Sequence, residues 1–149
     1  MSNRILFVCL GNICRSPSAE AVVRQMAAAR GLDLSLDSAG TGPWHVGEPP
    51  YAPMQRAARA RGYDLSAQRA RMVSAEDFGR FDLIVAMDPD NLRDLEQMRP
   101  AAGGAALALF AGYAPNIGTD TVPDPYYTRD FGGTLDIVEA CAAGLLDQL

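Results

Sequence analysis

Five residues separate Cys9 from Arg15 in "VCLGNICRSP", with Gly11 and Asn12 between them and Ser16 directly after. A thiol and a guanidinium at that spacing suit phosphate chemistry. If the intervening chain curls, its amide N–H groups point inward at an anion, and the arginine adds a two-pronged donor that matches phosphate. Gly11 permits the curl, and Asn12 tolerates the left-handed backbone that a tight cradle requires. A helix starting near Ser16 adds the positive end of its dipole. The same field acts on Cys9, because a helix N-terminus and an arginine lower a cysteine pKa from about 8.5 to roughly 3.5–7.5. A thiolate beside a bound phosphate is an attacking nucleophile. The expected phosphate-binding loop is therefore Leu10, Gly11, Asn12, Ile13, Cys14, Arg15 and Ser16, with Cys9 at its base. The competing reading is a buried structural cysteine and an arginine in a surface ion pair.

Such a loop needs a strand before it and a helix after it. "RILFV" over 4–8 reads as a short buried strand. "SPSAEAVVRQMAAARG" over 16–31 reads as a helix, with Ser16 able to cap it, Pro17 suited to its first position and Gly31 to its stop. "LSLDS" over 34–38 alternates like a second strand. A loop carrying Trp44, Pro49 and Pro50 leads to a helix near 53–61. "FDLIVAM" over 81–87 is another buried run, and "DPDN" starts a helix through Leu95. "AALALF" over 105–110 is helical by composition, but its shortness and its place after a helix favour a strand. A long polar loop over 112–131 precedes an amphipathic helix over about 133–148. Alternation of this kind implies an α/β domain with a parallel sheet and right-handed crossovers. In such sheets ligands bind beyond the carboxyl ends of the strands, which is where residues 9–16 fall.

Composition sets the outer limits. The 149 residues suit one domain, residues 1–149, with 48% apolar and 21% charged residues, as in ordinary globular proteins. No apolar run nears the ~20 residues of a membrane span. Arg4 is followed by six apolar residues and then Gly11 and Asn12, which does not read as a signal peptide. Three cysteines are too few for a secreted disulfide framework, so the expected compartment is the cytoplasm. A net charge of −5 argues against a nucleic-acid binder, and an anionic ligand must be drawn by a local site. A single histidine, His45, with no cysteine or carboxylate spacing around it is a poor metal site and reads as a loop residue at a pocket rim. No metal or other cofactor is expected.

Thiolate attack on a phosphate ester leaves charge on the departing oxygen, and a placed carboxyl that protonates it supplies ~10²–10⁴-fold. Asp124, set between Pro123 and Pro125, is one candidate, and Asp120 in the same loop is its rival.

At this point the chain resembles the low-molecular-weight protein tyrosine phosphatase family. "FVCLGNICRSP" is close to the family's signature loop, and the likeness continues through "DSAGTGPWHVGEPP", "FDLIVAMDPDNLRDL" and "VPDPYY". The resemblance implies a four-stranded parallel sheet flanked by helices and a cysteinyl-phosphate mechanism acting on phosphotyrosine proteins or small aryl phosphates. By that resemblance Cys9 is the nucleophile, Arg15 the phosphate clamp and Asp124 the general acid. It also implies that Trp44, Tyr126 and Tyr127 wall the substrate pocket. It pairs Asn12 with Ser38 as supporting residues, and sets Ser16 against the Cys9 thiolate. Cys14 stands as a redox guard of Cys9, or else as a small apolar residue packed under the loop. Many members carry a histidine near "SAQRAR" where this chain has Gln68, which puts one supporting hydrogen bond in question. Two rivals use similar parts. Arsenate reductases of this fold place extra cysteines in mid-chain, and here none lies between Cys14 and Cys141. A phosphotyrosine-binding module would need neither nucleophile nor acid.

Overall fold

A computed structural model of the chain describes residues 3–149; residues 1 and 2 of the expected domain lie outside the described residues. The first strand, β1 (Arg4–Cys9), is buried from Ile5 onward. It is followed by α1 (Arg15–Ala29), β2 (Ser35–Gly40), α2 (Ala52–Arg59), α3 (Asp77–Arg80), β3 (Leu83–Ala86), α4 (Pro89–Met98), β4 (Ala106–Leu109), α5 (Pro125–Thr128) and α6 (Phe131–Asp147). The sheet runs β2-β1-β3-β4, and every neighbouring pair is parallel. A central parallel strand is covered on both faces, so β1 and β3 read as unbroken apolar runs.

Side-chain parity sorts the strands into two cores. Ile5, Phe7 and Cys9 face a cluster with Val22 and Val23 of α1 and Leu135, Val138 and Leu145 of α6. Leu6 and Val8 face a cluster with Phe78 of α3 and Leu95 of α4. Phe7 meets Phe110 edge to face, with ring centres 5.6 Å apart. Cys9 thus ends its strand pointing toward the α1 side.

The chain leaves β1 toward β2 on one flank, while β3 pairs on the other. The order reverses between β1 and β3, and their carboxyl ends open the crevice where such sheets bind ligands.

Three expectations need correction. The first helix begins at Arg15 with Cys14 at its N-cap and no side-chain cap, so Ser16 lies inside the helix. Its hydroxyl is engaged elsewhere, and first-turn amides without a side-chain cap are what an anion site requires. The stretch over 112–131 is not a plain loop. Buried Phe110 and Ala111 anchor a 3₁₀ turn over Phe110–Tyr113, a second covers Pro115–Ile117, and Pro125 opens α5 with Asp124 capping it. The last helix starts two residues early, at Phe131, because Asp130 Oδ1 accepts from the Gly133 amide at 2.9 Å.

Candidate active site

A cavity of about 310 Å³ opens at the carboxyl end of β1. Cys9, Leu10, Gly11, Ile13, Cys14 and Arg15 line its floor; Trp44 and His45 come from the loop after β2, and Asp124, Tyr126 and Tyr127 from the segment around α5. Asn12 and Ser16 are not on the lining. Both are buried behind it.

Asn12 holds the loop from behind. Its φ of 57° lies in the left-handed region, which few residues besides glycine adopt and which asparagine tolerates through local hydrogen bonds. Three side-chain contacts over-determine that conformation. Nδ2 donates to Ser16 Oγ at 2.8 Å and to Ser38 Oγ at 3.0 Å, and Oδ1 accepts from the Arg71 amide at 3.0 Å. With the side chain fixed, the Asn12 amide donates to Cys9 Sγ at 3.3 Å. Ser16 Oγ sits 3.0 Å from the same sulfur. The position that resemblance put in question is filled by Gln68, whose Oε1 accepts from Ser38 Oγ at 3.3 Å and whose Nε2 donates to Pro17 O at 3.0 Å.

Arg15 is aimed by groups that are distant in sequence. Nη1 donates to Asp88 Oδ2 at 2.7 Å and to Val122 O at 3.1 Å, and Nη2 lies 3.5 Å from Asp124 Oδ2. Burial works against its charge, but Cys9, Asp88 and Asp124 outweigh burial and hold the guanidinium further toward its charged form. Asp88 is the residue that sequence reasoning missed. Its Oδ1 caps α4 through the Asn91 amide at 2.8 Å, so "DPDN" read as a helix start and nothing more. The second oxygen is free to orient Arg15 because β3 ends beside β1.

Asp124 reaches the cavity with its side chain about a quarter exposed, and Oδ1 accepts from the Tyr126 amide at 3.1 Å. Asp120 does not line the cavity and accepts from the Thr121 hydroxyl at 2.9 Å. The walls are aromatic. Tyr126 and Tyr127 stand nearly perpendicular with centres 5.3 Å apart, and Tyr51 backs Tyr126 at 5.1 Å. Trp44 is 67% exposed and lies over Gly42, where a Cβ would collide with its ring. His45 is on the lining, with Nδ1 2.9 Å from Glu48 Oε2 and its ring 6.3 Å from that of Tyr126.

The remaining thiols are different. Burial drives the Cys14 thiol far above its ordinary pKa, and Cys9 and Asp124 add to that rise. Cys141 lies fully buried in α6, and burial pushes its pKa to about 11. Among the described residues no three His, Cys, Asp or Glu side chains gather where they could hold a metal ion. No helix there is long and apolar enough to cross a membrane.

Fold and cavity together define an α/β protein with a cysteine, an arginine and an aspartate gathered at the carboxyl end of a parallel sheet. Comparison with known proteins gives the family. The low molecular weight phosphotyrosine protein phosphatase profile matches residues 4–149. The low molecular weight protein-tyrosine-phosphatase YfkJ of Bacillus subtilis is 40% identical over 147 residues, covering 97% of this chain and 94% of that protein. A crystal structure of a protein tyrosine phosphatase from Entamoeba histolytica, with Hepes in its active site, superposes with a TM-score of 0.92 at 37% identity, covering 99% of this chain and 96% of that one. The Drosophila arginine phosphatase gives a TM-score of 0.92 at 33% identity, covering 99% and 97%. This chain belongs to the low molecular weight protein-tyrosine-phosphatase family, and it is an enzyme of that class.

Proposed function

We propose that the protein hydrolyses phosphotyrosine and small aryl phosphates in two displacements at Cys9, as a single catalytic domain acting in the cytoplasm. One observation supports this above the others: the Cys9 sulfur lies at the floor of a cavity that also receives Arg15 from α1 and Asp124 from the α5 segment. In the first step the Cys9 thiolate attacks phosphorus, the S–P bond forms and the P–O bond to the aryl group breaks. Asp124 gives its proton to the departing phenolate. In the second step Asp124 takes a proton from water, the water oxygen attacks phosphorus, and the S–P bond breaks to return the thiolate and inorganic phosphate. Arg15 and the loop amides hold the equatorial oxygens through both steps, where charge-assisted and bidentate hydrogen bonds are strongest. The Asn12 amide and Ser16 hydroxyl steady the sulfur as attacking and leaving group.

The aromatic walls argue for an aryl substrate. A guanidinium could also stack on Trp44, Tyr126 and Tyr127, but it would find a single carboxylate, Asp124, on the lining to pair with. A thiol relay of the arsenate reductase type has no support, because Cys141 is fully buried in the core.

Purified protein in EDTA is expected to release phosphate from a phosphotyrosine peptide faster than from the matching phosphoarginine peptide. Acid-quenched turnover is expected to show one phosphate on the Cys9 peptide by mass. Release that depends on added metal, or turnover with no phosphate on Cys9, would refute the mechanism; faster phosphoarginine release would move the substrate class.

A further inference from the structure

Two charged side chains away from the cavity form an ion pair that the chemistry above does not use. Asp77, at the start of α3, is fully buried. Arg71 meets it with both prongs, Nη1 to Oδ2 and Nη2 to Oδ1, each at 3.1 Å. Asp77 Oδ2 also accepts from the Ser74 amide at 2.8 Å, and Arg71 Nε donates to Asp37 Oδ2 of β2 at 3.1 Å. The pair is half-buried, since a third of the Arg71 side chain is exposed, and Arg80 Nη1 also lies 3.8 Å from Asp77 Oδ1. Desolvation of the carboxylate offsets much of the attraction, so the pair is a modest source of stability. What such a pair does provide is a fixed position.

The backbone shows what is fixed. Arg71 N–H donates to Asn12 Oδ1 at 3.0 Å. Around it the chain is pinned to the end of β2: Gly40 N–H donates to Arg71 O and Val73 N–H to Gly40 O, both at 2.8 Å. A single parallel bridge joins Gly40 to Met72. Asn12 is the left-handed residue whose own amide donates to Cys9 Sγ. The path therefore runs from Asp77 through Arg71 and Asn12 to the sulfur, four residues joined by three contiguous contacts.

We propose that the Asp77–Arg71 pair positions the nucleophile, by holding the Arg71 amide that holds the Asn12 side chain and so the Asn12 amide against Cys9. Neither residue lines the cavity, so both act through others. The inference rests on Cys9 being the nucleophile.

The test reads the sulfur directly. Wild type, Asp77→Asn and Arg71→Lys are alkylated with iodoacetate across a pH series, and modification of the Cys9 peptide is followed by mass. Cys14 and Cys141 have raised pKa values and stay silent over the acid range. Arg15, Cys14 and, across the cavity, Asp124, His45, Tyr126 and Tyr127 are the charged and titratable groups around Cys9, and both variants leave them in place. Loosening one hydrogen bond to a charged sulfur moves the alkylation midpoint upward by about one pH unit and lowers kcat roughly tenfold. Leu145→Ala, a core truncation near the far end of α6, is expected to lower the melting temperature and leave the midpoint unmoved. If Asp77→Asn does not fold, Arg71→Lys, which keeps the charge but loses the fork, carries the test. Wild-type midpoints in both variants, with activity lost only in proportion to unfolding, overturn the proposal, as does an equal shift in Leu145→Ala. A wild-type Cys9 that alkylates like a free thiol would instead refute its role as nucleophile.

Discussion

The two arms of the site are built differently. The loop over 9–16 is buried along most of its length, and its polar side chains are tied to one another and to β2. The segment over 120–128 touches the core mainly through Val122, whose amide donates to Met87 O at 2.8 Å, and through Pro123 O, which accepts from Thr134 Oγ1 at 3.3 Å. Beyond those anchors Tyr126 and Tyr127 are exposed, and Asp124 is partly so. Each construction suits its proposed task. A sulfur that must meet phosphorus in line gains from a rigid frame, because a small misplacement is costly. A carboxyl that passes a proton to a phenolate and then takes one from water needs access to both.

Removing the sulfur breaks the rigid arm outright. Cys9→Ser is expected to lower kcat by at least ~10⁴-fold while the protein still binds vanadate or phosphate, measured by calorimetry. Arg15→Lys is expected to lose ~10²–10³-fold, since an ammonium keeps the charge but not the fork. Appreciable turnover in Cys9→Ser would mean that the frame serves some group other than this thiol.

The acid arm should fail selectively. Asp124→Asn is expected to slow phenyl phosphate ~10²–10³-fold and p-nitrophenyl phosphate much less, because p-nitrophenolate leaves without a proton. Asp120→Asn is expected to leave both rates near wild type. Equal slowing of the two substrates by Asp124→Asn, with an unmoved pH–rate profile, would shift the acid role to another group.

Rigidity also brings two thiols together at one cavity floor, where Cys9 and Cys14 are each 3% exposed. If Cys14 guards Cys9 by condensing with its sulfenic acid before further oxidation, wild type is expected to recover most of its activity after peroxide and then dithiothreitol. Cys14→Ser is expected to recover severalfold less, and a Cys9–Cys14 disulfide should appear by peptide mass in oxidised wild type alone. Equal recovery would leave Cys14 as packing.

The smallest effect belongs to the most exposed wall. If the Trp44 ring stacks on the substrate phenyl group, Trp44→Ala is expected to raise KM for aryl phosphates roughly three- to tenfold, and Tyr127→Ala by less. KM for an alkyl phosphate should change little in either variant, and a parallel rise there would mean that these residues do not read the ring.

Much of the frame was legible from local sequence. The first and third strands announced themselves as short apolar runs, the second by its alternation and the fourth by its shortness and place against a helical composition, and Gly31, with φ of 72°, stops α1 as its residue type implies. The loop itself was readable because Cys9, Gly11, Asn12 and Arg15 act within seven neighbouring residues, where spacing alone sets which groups can converge. What stayed hidden lies at long sequence separation. Asp88 is 73 residues from Arg15, Arg71 is 59 from Asn12, and Val122 is 107 from Arg15. By residue type alone Asp88 is a helix cap, Arg71 a surface charge and Asp120 the equal of Asp124. Strand order places the first two: β3 pairs beside β1, so Asp88, two residues after β3, lands on Arg15, and Gly40 at the end of β2 carries the Arg71 segment to Asn12. Curling a loop around an anion is a property of consecutive residues, whereas choosing which distant carboxylate faces that anion is a property of how the sheet is assembled.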